Sequence, residues 1–118
     1  MELAKKLQLP PETGVFVLNA PGNLKMDLKV LKKHAAGGPV LLFANNVAIL
    51  ERLSDLVVVS ARADSISWIA YPKAGKLGTD LNRDELFRLM KPHGIEGVRL
   101  VSIDDTWSAM RFRPARSK

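Results

Sequence analysis

Two stretches of this 118-residue chain hold the side chains best suited to chemistry. The first runs from Tyr71-Pro72-Lys73 to Thr79-Asp80-Leu81-Asn82-Arg83-Asp84. A lysine at a strand end followed by a helix start favours an anion, because unpaired N–H groups and the helix dipole add to the ammonium charge. The same residues also suit structural work. Thr79, Asp80 or Asn82 can cap the helix, Asp84 can complement its dipole, and Arg83 can pair with a neighbouring acid, and that reading weighs more. The second stretch is Asp104-Asp105-Thr106-Trp107. Two carboxylates can bind a metal or serve as acid and base. They can equally be turn formers bonded to their own backbone. Neighbours along a strand point to opposite faces, so only a turn would converge them, and the turn role is favoured. Trp107 reads as core or edge cover rather than as a stacking platform.

Other chemistries lack their residues. The chain has no cysteine, which removes disulfides, thiol nucleophiles and cysteine-bearing metal sites. With only His34 and His93, no metal centre and no cofactor is expected. Asn19-Ala20-Pro21-Gly22-Asn23, after the first apolar run, has one glycine where a dinucleotide fingerprint needs three. Neither a Gly-x-Ser-x-Gly elbow nor a phosphate loop ending in Gly-Lys-Ser/Thr is present.

Composition is that of a globular domain, 47% hydrophobic and 25% charged. The formal charge of +6 invites a nucleic-acid reading, but Arg111, Arg113, Arg116 and Lys118 lie together in the last eight residues without an acid. Apolar runs such as Pro39–Ala44 fall far short of the ~20 residues that span a bilayer, so no membrane association is expected. With no cysteine and no signal-peptide pattern, the expected location is cytoplasmic.

The elements that must position these residues alternate. Apolar runs at 14–19, 40–44, 66–71, 98–103 and 109–113 read as strands, and Leu24 to Leu31 alternates with polar residues as a sixth candidate. Glu2–Leu9 suits one or two helical turns before Pro10-Pro11. Asn46 is a candidate N-cap for a helix to about Ala63, although Leu56-Val57-Val58-Val59 has strand propensity. Asn82 and Glu85 have capping-box spacing before a second helix that Pro92 and Gly94 end. Asp104-Asp105-Thr106 makes the last two strands a hairpin. The order predicts a single α/β domain over 1–118, in three layers. Its mixed, mostly parallel sheet would have about five strands, flanking helices and a C-terminal antiparallel hairpin.

Trp68-Ile69-Ala70-Tyr71-Pro72-Lys73, Thr79-Asp80-Leu81-Asn82-Arg83-Asp84 and Asp104-Asp105-Thr106-Trp107-Ser108 occur in the order seen in a family of small bacterial proteins classed as a domain of unknown function, which the chain resembles over roughly residues 14–113. The resemblance implies no particular activity. The order of elements is also similar to the C-terminal half of Rossmann-like methyltransferases, an analogy of fold alone.

Three functions follow as expectations. The first is a non-catalytic binding or interaction module with an anion-friendly edge at Lys73 and Arg83, whose partner is a protein or a small anionic ligand. The second is an enzyme using Lys73, Asp80 and Asp104 or Asp105. The third, ranked last because no aromatics interleave the basic residues, is nucleic-acid binding through residues 111–118. A homodimer is expected on base rates.

Overall fold

The computed structural model describes residues 3–10, 12–22, 28–33, 37–73 and 76–115. In chain order they form α1 (Leu3–Lys6), β1 (Val15–Leu18), β2 (Val30–Leu31), β3 (Val40–Phe43), α2 (Val47–Leu53), α3 (Asp55–Arg62), β4 (Ser67–Pro72), α4 (Arg83–Met90), β5 (Ile95–Ser102) and β6 (Trp107–Pro114). The strands make one sheet in the order β2-β1-β3-β4-β6-β5. The pairs from β2 to β4 are parallel, while β6 lies antiparallel to both β4 and β5. The fold is thus the mixed α/β architecture expected, with six strands instead of about five. The closing hairpin is inserted rather than appended: β6 is interior and β5 is the edge. Of the strand expected over 24–31, Val30–Leu31 is the part that pairs among the described residues, and residues 24–27 lie outside them.

Alternation along the central strands builds two apolar faces. Val40, Leu42, Ile69, Tyr71, Met110 and Phe112 point toward α2, α3 and α4, and meet Leu50, Val57, Ala61, Leu86 and Met90. Leu41, Phe43, Trp68, Ala70, Trp107 and Ala109 point the other way, where Leu3, Leu7 and Leu9 cover them. β3 and β4 are buried on both faces, which explains their unbroken apolar runs. Among the described residues, the second face has one short helix above it, anchored by a buried bond from Trp68 Nε1 to the Leu7 carbonyl (2.9 Å).

The helix expected from Asn46 to Ala63 is divided at Ser54, where ψ flattens to −12° in a 3₁₀-like turn. Residues 56–60 are helical in spite of their β-branched side chains. Val57, Val58 and Ala61 continue the buried stripe of Leu50, so the packing of that face outweighs local strand propensity.

Candidate functional site

β1, β3, β4 and β5 all finish at one end of the sheet, the end where α/β folds bind ligands. Much of the polar chemistry there serves the scaffold. Asn19, in a left-handed conformation (φ 59°), donates from Nδ2 to the Phe43 carbonyl and to Asn45 Oδ1, both at 2.8 Å, tying the end of β1 to that of β3. Asn46 Oδ1 accepts from Ile49 N as the N-cap of α2, and Asp80 Oδ1 accepts from Val47 N at the same helix start. Asn82 Oδ1 accepts from Glu85 N, which is half of the expected capping box. The other half is missing: the Glu85 carboxylate turns to Arg88 (2.6 and 3.0 Å), whose hydrogen bonds hold it below the usual carboxylate range. Thr79 Oγ1 accepts from Leu81 N.

The hairpin turn is built the same way. Asp104 Oδ1 accepts from the amides of Thr106 and Trp107, both at 2.8 Å. Asp105 is exposed and makes no ion pair among the described residues. Trp107 is 4% exposed and meets Phe43 edge to face at 5.1 Å, so its ring belongs to the core. Of the two carboxylates read as a candidate pair, one is thus bound to backbone amides.

Lys73 and the hairpin turn come together. Lys73 N donates to the Thr106 carbonyl (2.7 Å), and Lys73 Nζ donates to Ser102 Oγ (2.7 Å). Lys6 Nζ, from α1, donates to the Ser102 carbonyl at 2.5 Å. Two ammonium groups from opposite sides of the sheet thus converge on one exposed serine, and neither makes an ion pair among the described residues. Register extends the polar row: Ser102 lies opposite Ser108, and Ser108 opposite Tyr71. Partners in register share a face, so three hydroxyl side chains stand side by side across β5, β6 and β4. Tyr71 is 5% exposed; burial raises its phenol pKa, with smaller opposing influences from nearby Arg83 and Asp84.

Arg83 does not join Lys73. It pairs with Asp84 at 3.3 Å on the surface, and both line an open groove of about 290 Å³ between α4 and β5 floored by Phe87, Gly97 and Met110. The basic residues that suggested a C-terminal tail are partly strand: Arg113 forms a two-bonded pair with Asp64 (2.9 and 3.0 Å), and Arg111 donates to Gln8 Oε1. Arg116 and Lys118 lie outside the described residues.

Among the described residues, no helix is long and apolar enough to cross a membrane. Comparison with protein-family models, curated proteins and solved structures finds no match.

Sequence reasoning missed Lys6 and Ser102. Ser102 carried one signal, a hydroxyl at the carboxyl end of a strand, where ligands bind. Lys6 carried none, because 96 residues separate it from the group it meets.

Proposed function

We infer that this protein is a binding module for a small anionic group, held at the carboxyl end of the sheet by Lys73, Lys6 and Ser102. The observation that carries this reading is the convergence of two ammonium groups, neither ion-paired among the described residues, on one exposed serine, Lys73 at its hydroxyl and Lys6 at its carbonyl. An arriving phosphate or carboxylate would accept charge-assisted hydrogen bonds from both lysines and one from Ser102. The carboxylates that an enzyme would use support binding rather than turnover. Asp80 is engaged by the amide of Val47, and Asp104 by those of Thr106 and Trp107. Arg83 is a further cation at the same end of the sheet, already engaged by Asp84.

Titration of the protein with inorganic phosphate, followed by amide resonances, tests the reading. The amides of Ser102, Lys73 and Thr106 should move together and saturate. Lys73→Ala and Lys6→Ala should each weaken binding by about tenfold, the worth of one charge-assisted hydrogen bond. Unmoved resonances, or binding unaffected by both substitutions, would refute it.

A further inference from the structure

The outer edge of the sheet points to a second surface, centred on Gly97–Val98 of β5, the strand whose last residue, Ser102, belongs to the anion site. β5 is an eight-residue edge strand, whereas β2 at the far edge has two residues. A long edge offers unpaired N–H and C=O groups to any extended chain. Val98 and Leu100 on it are 48% and 45% exposed, beside the groove under α4.

Its charges are unsettled as well. Arg99 stands in register opposite Arg111, a like-charge pair, and burial together with Arg113 and Arg99 lowers the Arg111 pKa. Glu96 stands opposite Arg113, whose guanidinium is already taken by Asp64. Neither Glu96 nor Arg99 forms an ion pair among the described residues.

A bulge relates these two residues. The register skips between Gly97 and Arg99, so Glu96 and Arg99 oppose Arg113 and Arg111, which are two apart on β6. Glu96 and Arg99 therefore share a face although three positions separate them, which a regular strand forbids. For the same reason Ile95 and Leu100 share the opposite face.

We propose that β5 pairs antiparallel with β5 of a second copy of this chain, about a two-fold axis at Gly97–Val98. Antiparallel partners must share a face. With the bulge on the axis, Glu96 lies opposite Arg99 of the other copy and Arg99 opposite its Glu96. Ile95 lies opposite Leu100, and the exposed Val98 and Leu100 side chains are covered. One strand thereby supplies both halves of a self-complementary interface, the requirement of a closed dimer. The carboxylate that Arg99 lacks at home comes from the second copy.

Light scattering and sedimentation over concentrations reaching millimolar test this. Wild-type protein should be dimeric at the upper end. Arg99→Glu alone and Glu96→Arg alone should each weaken the dimer at least ~tenfold, by setting like charges opposite one another. The double variant Glu96→Arg/Arg99→Glu should restore it, with circular dichroism verifying that each variant folds. Because the chain has no cysteine, Val98→Cys should cross-link to its second copy under mild oxidation, and Val59→Cys, equally exposed on α3, should not. A wild-type monomer at every concentration overturns the proposal. So does a dimer that both reversals leave intact, a double variant that stays monomeric, or cross-linking at position 59 as readily as at 98.

Discussion

Tyr71 is the sole tyrosine of the chain, so its titration can be read without overlap from another phenol. Burial raises its pKa above the ordinary value of about 10. The sign follows from the neutral form being the one the fold prefers. The stabilisation is fully present below the unfolded value and is lost as pH rises from there through the folded pKa, where the unfolded chain has already released its proton. An ultraviolet titration should show tyrosinate forming at higher pH in the folded protein than in denaturant. Tyr71→Phe should flatten the fall in stability above about pH 10. A folded-state midpoint at or below the ordinary value would contradict the placement of the phenol. Tyr71, Lys73, Asp80 and Asp104 were all legible in the sequence as polar residues at element ends. Which of them carries a free charge was not, since Asp80 and Asp104 are taken up by amides that the fold brings to them.

Among the elements, the contact of α4 with β5 shows how closely the hairpin and its covering helix fit. An added methyl on Gly97 would meet Met110 Cγ at 2.9 Å, lie still closer to Met110 Sδ, and stand 3.3 Å from Phe87 Cδ2. Met110 is 4% exposed and packed in the core, so its side chain would have to shift toward the groove that it lines. Gly97→Ala should therefore destabilise the protein by about 1–3 kcal/mol, the range for overpacking a core, in denaturant unfolding. An unchanged midpoint would mean that the bulge relaxes freely. Gly94 plays a different part. With φ 81° it takes the left-handed conformation that lets the chain leave the 3₁₀ turn after α4 and enter β5. Pro92 and Gly94 marked that stop in the sequence. The division of the long helix at Ser54 had no such marker, because the residues around it continue one buried stripe.

In the molecule as a whole, the described residues cover the two faces of the sheet unequally. Three helices cover one, and α1 with Leu7 and Leu9 covers part of the other. Both tryptophans lie on that lightly covered side, so their fluorescence reports on it, whereas far-ultraviolet circular dichroism is dominated by the helices opposite. The central strands β3 and β4 contribute side chains to both clusters, which couples them. The two signals should give coincident unfolding curves, as for a cooperative single domain. Leu7→Ala, at a fully buried position, should shift both together by roughly 2–5 kcal/mol. An earlier tryptophan transition would show that α1 and its face open on their own.

Period and punctuation were enough to read the α/β class, the parallel strands buried on both faces, the N-caps at Asn46 and Asn82, and the hairpin turn at Asp104. Each depends on residues a few positions apart, and local sterics and hydrogen bonds act over that range. Strand order is different. That β6 enters between β4 and β5 leaves β5 as the edge and brings Ser102 within reach of Lys73. The meeting of Lys6 with that same serine depends on α1 crossing the far face, held there by Leu3, Leu7 and the bond from Trp68. These contacts join residues far apart in the chain and arise from burying two faces of one sheet, a constraint that no short stretch of sequence contains.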